Sequence, residues 1–405
     1  MAKKKTWYKL VYKYTIKLLL NILTLHFLRR LIINNITANR IASKVNSLLG
    51  DNVVVIAQTS FYDREGNHCY NGGAERYVQD LAKIIKNNGC NPILLQFGYK
   101  HLWQKECGNL RIIGIPSKDE KQFILVLKYL KNFRLVIYSG MIYWGDKLLH
   151  PNIMISHGIT WDHPSFNAVP GDIYNIIKDV DEIVSVDTNT ISWLRSTFAK
   201  SLKERKMYYI PNYVDTNLYK PIPKNNKNIK IVFPRRAAPE RGYWLMSKVL
   251  PNILNKYKKI EFDFVGFAHG DDIVKDIKNI VKMFPDRIRH YVIEPQEMVK
   301  VYQQADISLV PTLYSEGTSL SCLEAMACGN VVIATNIGGL PQLVIDGYNG
   351  LLINPDAQEL QDALDEVLSD ANLRKTLATN AVKVARVFDK SIWDQRWNKI
   401  INRNL

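Results

Sequence analysis

Short apolar segments alternate with longer amphipathic segments along this chain, and this alternation limits its possible folds more than any other feature. It starts after residue 50 and continues almost to the C-terminus. Such alternation is typical of β-α-β units, in which helices join parallel strands and cover the sheet. The segment 211–228 interrupts it, because proline, asparagine and lysine predict a linker there. We therefore expect an α/β protein with two Rossmann-like domains, at 51–211 and 212–387.

Each predicted domain has its own series of apolar strands. The first series begins with VVVIAQ at 53–58 and continues through PILLQF, RIIGI, LVIYSG, IMISHG and IVSVD. The second begins with IKIVFP at 229–234 and continues through FDFVG, ISLVP, VVIAT and GLLIN. Helical segments from 357 to 403 close the chain. At 405 residues the chain is long enough for two hydrophobic cores.

Most of the net positive charge lies in the first 50 residues. The whole chain has 54 Lys and Arg against 38 Asp and Glu, whereas residues 1–50 contain ten Lys and Arg and no acidic residue. Lys5, Lys9, Lys13 and Lys17 recur every four residues, so they share one helical face among large apolar side chains. This pattern favours an amphipathic helix on an anionic membrane surface over a nucleic-acid partner.

A membrane-spanning helix fits this segment less well, because its longest uncharged apolar stretch, Leu18–Leu28, has only 11 residues. A helix docked on this protein or on a partner remains an alternative. The five cysteines have no metal-ligand spacing and predict reduced thiols. We expect a cytoplasmic protein that is peripheral on the inner face of the membrane.

The segment SEGTSLSCLEAMACG at 315–329 contains the most informative pair of carboxylates. Glu316 lies on a loop, and Glu324 follows eight positions later on a short apolar helix that Thr318 or Ser319 can cap. The N–H groups of the first helical turn can bind a phosphate-like anion, whereas carboxylates suit the hydroxyl groups of a sugar or ribose. The combination suggests a nucleotide-sugar, although an isolated pair could also be two solvated surface glutamates.

The motifs around this pair resemble, in their order, the retaining glycosyltransferases of family 4, whose signature is this E-x7-E pair. The motifs are NGGAERYVQDLA, ISHG, IPNYVDTNLYKP, RRAAPERG, FDFVG, YQQADISLVPTLYSEG and NVVIATNIGGLPQLVIDGYNGLLINP. The resemblance covers about 53 to 390 and implies the GT-B fold, with two facing Rossmann-like domains. It implies an N-terminal acceptor domain and a C-terminal nucleotide-sugar donor domain.

In such relatives the last helix crosses back onto the first domain. Here this implies that 388–405 crosses back, with Trp393 and Trp397 as its packing face. The alternative is that both tryptophans pack at the end of the second domain.

The resemblance also implies individual roles. Glu316 would contact the donor-sugar hydroxyls, Glu324 the ribose hydroxyls, and His157 the sugar near its transferred carbon. Arg236 and Arg241 would pair with the diphosphate, with arginine at 241 where relatives have lysine, and Arg235 stands outside this pair. The implied donor-binding set is Gly72, Gly73, Gly317, Thr318, Ser319, Leu320 and Glu324.

The sequence therefore predicts a retaining glycosyltransferase that passes a sugar from a nucleotide-sugar to a glycan or lipid-linked acceptor. No DxD motif ends a strand in the expected setting, so we expect no metal and no cofactor. The alternatives are a GT-B sugar epimerase or phosphorylase, and an inactive homologue that serves as an assembly module. The donor base, the sugar and the acceptor stay open at this point.

Overall fold

The computed structural model describes residues 32–70, 72–159, 162, 164, 170–202 and 205–405. Eight strands form a first sheet: β1 (Val53–Ala57), β2 (Asn91–Phe97), β3 (Trp103–Cys107), β4 (Leu110–Ile115), β5 (Leu135–Ser139), β6 (Asn152–Ser156), β7 (Glu182–Ser185) and β8 (Lys206–Tyr209). Their order is β3-β4-β2-β1-β5-β6-β7-β8. Among these strands β3 runs antiparallel to β4, and the other neighbouring pairs are parallel.

Six strands form a second sheet: β9 (Ile229–Phe233), β10 (Ile260–Val265), β11 (Ile288–Tyr291), β12 (Ile307–Val310), β13 (Val331–Thr335) and β14 (Gly350–Ile353). Their order is β11-β10-β9-β12-β13-β14, and all of these neighbours are parallel. The α/β class with two mainly parallel sheets is thus confirmed. The segment 211–228 joins the two sheets, because it lies between β8 and β9.

Twelve α-helices connect and cover the strands in the described part of the chain. They are α1 (32–49), α2 (Gly73–Asn87), α3 (Glu120–Leu127), α4 (Pro170–Ile177), α5 (Thr188–Thr197), α6 (Tyr243–Lys256), α7 (Asp271–Met283), α8 (Met298–Gln304), α9 (Leu320–Ala327), α10 (Ala357–Ser369), α11 (Ala371–Ala385) and α12 (Lys390–Asn404). Asp187, Asp356 and Asp389 cap α5, α10 and α12 by accepting hydrogen bonds from first-turn N–H groups.

The strand β1 shows why these apolar segments form a buried sheet. Every residue of Val53–Ala57 is buried. Alternate side chains point to opposite faces, so Val53 and Val55 pack into one core while Val54 and Ile56 pack into another. A parallel strand covered by helices on both faces needs such a continuous apolar run, which is what the sequence supplies.

The helix α1 belongs to the first sheet. Ala38, Ala42, Val45 and Leu49 are buried on one face of it and pack into the core that contains Val53. The spacing of four, three and four residues brings these side chains together. The sequence alone predicts that residues 1–50 form a separate membrane-binding extension. That prediction needs correction for α1, and residues 1–31, with the basic face, lie outside the described residues.

The last helix, α12, packs on the first sheet rather than on the second. Trp397 Nε1 donates a hydrogen bond of 2.8 Å to the Tyr77 hydroxyl on α2. Trp393 and Trp397 lie in the same core cluster as Tyr77. The chain therefore crosses between the sheets twice. We call the first sheet with its helices and α12 the first half, and the second sheet with α6 to α11 the second half.

Within the described residues, no helix combines the length and apolar character that crossing a bilayer requires. All five cysteines are free thiols.

Candidate active site

The two halves meet where the carboxyl ends of their strands face each other. The loop after β6 contacts the loop after β12, since a Cβ atom placed on Gly158 would lie 2.6 Å from the Gly317 nitrogen. The Thr318 hydroxyl donates to the Val186 carbonyl at 2.7 Å and accepts from the Asn212 N–H at 2.8 Å. The carboxyl ends of parallel strands are where ligands bind in open α/β sheets. We call the space between these ends the cleft.

Glu316 is the centre of a buried cluster at the second-half wall of the cleft. Its Oε2 atom accepts hydrogen bonds of 2.8 Å from Arg235 Nη2, Arg241 Nη1 and the Thr312 hydroxyl. Glu316 is only 8% exposed. Burial opposes its ionisation, but the guanidinium groups of Arg235 and Arg241 outweigh burial and hold the pKa of Glu316 below its ordinary value. The cluster therefore contains a carboxylate between two fixed cations.

Arg235, which the resemblance leaves outside the diphosphate-binding pair, contacts Glu316 together with Arg241, whereas Arg236 does not. Arg236 donates to Glu240 Oε1 at 2.8 Å, and its side chain is 53% exposed. Arg235 takes the place beside Arg241, with only 10% of its side chain exposed. A resemblance aligns residue positions and gives no side-chain directions, so it could not show that Arg235 and not Arg236 contacts Glu316.

Glu324 is buried on α9 and pairs with a residue of the opposite half. Its Oε1 atom accepts a hydrogen bond of 2.6 Å from Arg76 Nη2 on α2, and its side chain is 4% exposed. The negative charge of Glu324 is the main cause that raises the pKa of Arg76. Sequence reasoning assigned no role to Arg76, although the residue stands in the NGGAER motif. The sequence contains both residues, but Arg76 and Glu324 are 248 positions apart, so no local pattern links them.

The loop from Gly317 to Leu320 lies against the first half. A Cβ atom placed on Gly317 would come within 2.7 Å of the His157 carbonyl oxygen, so the position has room only for glycine. The predicted side-chain capping of α9 is not observed. Ser319 stands at the N-cap but makes no side-chain capping bond, and the Thr318 hydroxyl binds Val186 instead. The first-turn N–H groups of α9 therefore lack a hydroxyl cap, which suits an anion site.

His157 follows β6 and lies at the first-half wall of the cleft. Its Nε2 atom is 3.1 Å from the Ser139 hydroxyl, and its ring meets Tyr77 edge-on at 5.1 Å between ring centroids. Burial lowers the pKa of His157 to about 4. The imidazole is therefore neutral at pH 7 and can exchange hydrogen bonds with a hydroxyl group.

The glycine pair opens α2 toward the cleft. A Cβ atom on Gly73 would lie 3.2 Å from the Leu320 side chain, so this helix start faces the start of α9. A Cβ atom on Gly72 would lie 2.6 Å from Glu75 Oε2, so the Glu75 side chain lies directly over this helix start. Burial raises the pKa of Glu75. Two helix N-termini thus point into one cleft from opposite sides.

The predicted site residues fall into two groups. Those placed around the cleft come from both halves: Gly72, Gly73, His157, Arg241, Glu316, Gly317, Thr318, Ser319, Leu320 and Glu324. Arg236 lies apart from Glu316 and pairs with Glu240. In the described part of the chain, no three His, Cys, Asp or Glu side chains converge as a metal-ligand set would.

Comparison with solved structures identifies the class of fold. The crystal structure of Anabaena HepE in complex with UDP-glucose superposes with a TM-score of 0.67 at 17% identity, over 87% of this chain and 99% of that chain. The protein thus has the GT-B fold.

Comparison with sequences identifies the class of protein. Residues 215–384 match the family model described as "Glycosyl transferases group 1". An uncharacterized glycosyltransferase of Methanocaldococcus jannaschii is 28% identical over 350 residues, which are 79% of this chain and 91% of that protein. One subunit of the Homo sapiens phosphatidylinositol N-acetylglucosaminyltransferase is 24% identical over 332 residues, 73% of this chain and 66% of that protein. This chain is a glycosyltransferase enzyme.

Proposed function

We propose that this enzyme is a retaining glycosyltransferase of family 4 that moves a sugar from a nucleotide-sugar to a glycan or lipid-linked acceptor. The observation that carries the proposal is the buried contact of Glu316 with Arg235 and Arg241, beside the N-terminus of α9. Glu316 and Glu324 are eight positions apart and lie in the same wall of the cleft. A nucleotide-sugar requires cations and free backbone N–H groups for its diphosphate, and carboxylates that accept hydrogen bonds from its hydroxyl groups. This cleft contains all three kinds of group.

The donor diphosphate would bind at the cations and at the N-terminus of α9. Arginine forks match phosphate oxygens and stay charged at any working pH. Arg241 is already fixed in the cleft wall, and the exposed guanidinium of Arg236 can turn from Glu240 toward the cleft. The sugar hydroxyls would reach Glu316, and the ribose hydroxyls Glu324. UDP is the first nucleotide to test, since the similar Anabaena structure holds UDP-glucose.

The chemistry proposed here needs no metal ion. Arginines and helix amides would stabilise the charge that develops on the departing diphosphate. The acceptor hydroxyl would attack the anomeric carbon on the face that the diphosphate leaves, and a phosphate oxygen of the leaving group would take its proton. The anomeric configuration is then retained. Neutral His157 would hold a sugar hydroxyl near this carbon.

The acceptor would be bound to, or made at, the inner face of the membrane. Residues 1–31 contain eight basic residues and no acidic one, so they favour an anionic surface. The name of the human relative points to a phosphatidylinositol acceptor, which gives lipid acceptors a precedent among similar proteins. We expect the enzyme to be cytoplasmic and peripheral on the membrane.

A thermal-shift screen tests whether the enzyme binds a nucleotide-sugar donor. UDP, GDP, ADP and TDP, with their sugars, are added to the full chain with and without EDTA. A ligand that binds the folded state raises the melting temperature in proportion to its occupancy. We expect one nucleotide series to raise it equally in both conditions. No shift with any of them contradicts a nucleotide-sugar enzyme.

Product analysis separates the alternatives. NMR of the product formed from the active donor should show the same anomeric configuration as the donor. An inverted linkage would contradict retention. Conversion of the sugar without transfer would indicate an epimerase, and a requirement for inorganic phosphate would indicate a phosphorylase. Nucleotide binding with no turnover would favour the assembly module.

Liposome sedimentation tests whether the enzyme binds an anionic membrane surface. Lys5, Lys9 and Lys13 are changed to glutamine in the full chain, so that α1 remains in the core. The matched control changes Lys275, Lys278 and Lys282 on α7, three exposed lysines of the second half. We expect the first variant to lose sedimentation with phosphatidylglycerol vesicles and the control to keep it. Equal binding by both variants would contradict the proposal.

A further inference from the structure

The ion pair between Arg76 and Glu324 joins the two halves at the nucleotide side of the cleft. Arg76 lies on α2, which packs in the first half, and Glu324 lies on α9, which packs in the second. Arg76 Nη2 and Glu324 Oε1 are 2.6 Å apart. About a third of the Arg76 side chain is exposed, at 34%, whereas Glu324 is buried. The pair therefore lies at the boundary between the protein core and the cleft.

The direction from which Arg76 reaches Glu324 is what matters for ligand binding. Tyr219 and Tyr302 lie in the same core cluster as α9. After burial, the charge of Glu324 is the next cause that raises the pKa of each tyrosine, so both lie close to the carboxylate. Arg76 comes from the opposite half, and its partly exposed side chain covers the buried Glu324 carboxylate.

A nucleotide ribose would have to reach this covered carboxylate from the cleft. A carboxylate accepts hydrogen bonds only, so a ribose hydroxyl that binds Glu324 Oε1 competes with the Arg76 guanidinium for that oxygen. A buried carboxylate is costly without a partner, and in the free enzyme Arg76 supplies that partner. If ribose supplied hydrogen bonds instead, Arg76 would be released from Glu324.

We propose that Arg76 is a determinant of nucleotide affinity that competes with the ribose hydroxyls for Glu324. This inference rests on the proposed function, because it takes Glu324 as the ribose-binding carboxylate. It adds that Arg76 is a hydrogen-bond donor to Glu324 in the free enzyme. Nucleotide binding must therefore replace this contact across the cleft. The affinity for a ribonucleotide is then set partly by a residue of the first half.

The test compares a ribonucleotide with its analogue that lacks the ribose hydroxyls. Affinities for UDP, GDP and ADP, and for the 2′,3′-dideoxy form of each, are measured by calorimetry on the full chain. Arg76→Met keeps the length of the side chain but removes the donor groups. We expect it to bind the preferred ribonucleotide at least threefold more tightly than the unchanged enzyme does. We expect its affinity for the dideoxy analogue to be unchanged.

Two variants control for charge and for coupling. Lys83→Met removes one positive charge from the same helix, at an exposed side chain that pairs with Asp80, and it should change neither affinity. In the Arg76→Met/Glu324→Gln double variant the gain should disappear, because the carboxylate that both groups compete for is gone. Arg76→Lys should give a smaller gain, and it decides the question if Arg76→Met does not fold.

Three results would overturn the inference. An equal loss of affinity for both nucleotide forms would make the ion pair merely structural. A loss for the ribonucleotide alone would mean that Arg76 assists the ribose instead of competing with it. A gain for both forms would place its effect away from the ribose. If the unchanged enzyme binds none of these nucleotides and no TDP, the proposed function itself fails, which is a distinguishable outcome.

Discussion

Gly158 and Gly317 bring the backbones of the two halves into direct contact across the cleft. A Cβ atom on Gly317 would lie 2.7 Å from the His157 carbonyl oxygen, which precedes Gly158 in the chain, and 3.3 Å from the Gly158 Cα. Protein interiors tolerate such overlaps poorly, and backbone atoms cannot move aside as a flexible side chain can. The close approach of the two cleft walls therefore depends on glycine here.

Gly317→Ala should keep both halves apart. We expect a larger radius of gyration in small-angle scattering and at least a hundredfold loss of sugar transfer, with an unchanged circular dichroism spectrum. Gly171→Ala is the control, because a Cβ atom there meets no neighbour within 4 Å among the described residues. A Gly317→Ala variant with the original radius and normal transfer would show that the contact is dispensable.

Glu316→Gln should abolish transfer while the fold persists. The substitution keeps the shape of the side chain but removes the charge that Arg235 and Arg241 share, and it weakens acceptance of sugar hydroxyls. We expect at least a hundredfold loss of transfer, about 2.7 kcal/mol of activation free energy. Glu297→Gln, at an exposed carboxylate paired with Lys300, is the matched control. Near-normal transfer by Glu316→Gln would remove Glu316 from the active site.

Loss of the Arg235 side chain should lower the stability of the fold, whereas loss of the Arg236 side chain should lower nucleoside diphosphate affinity. Arg235→Met leaves Glu316 buried with one cation fewer, so we expect a lower melting temperature, by several degrees. Arg236→Met removes a half-exposed side chain, so the melting temperature should stay the same while nucleoside diphosphate affinity falls about tenfold. Calorimetry and thermal unfolding measure both effects. Unchanged affinity in Arg236→Met would remove that residue from the donor site.

His157 should make the stability of the fold depend on pH. Its folded pKa of about 4 lies below the ordinary value of 6.5, so the unfolded state binds more protons between these values. The sign is that stability rises from pH 4 to pH 6.5, by up to about 3 kcal/mol. His157→Gln should flatten this part of the profile in chemical denaturation, whereas a change at exposed His101 should not. An unaltered profile in His157→Gln would contradict the low pKa.

The sequence by itself determined the local features. Strands such as β1 and β12 were predictable because a parallel strand covered on both faces needs a continuous apolar run, and that requirement acts on neighbouring residues. The two sheets, the linker between them and the grouping of Glu316 with Glu324 followed from patterns that span fewer than 20 residues each. The resemblance to known glycosyltransferases added the order of the motifs and thus the GT-B fold.

Only the tertiary structure decided which residues meet. It placed α1 in the first core rather than on a separate extension, because burial of Ala38 and Ala42 depends on a sheet formed later in the chain. It showed that Arg235 and not Arg236 contacts Glu316, because side-chain direction depends on the backbone path. It paired Arg76 with Glu324, 248 positions away. The site is built from contacts between segments that are far apart in the sequence, and no local sequence pattern specifies those contacts.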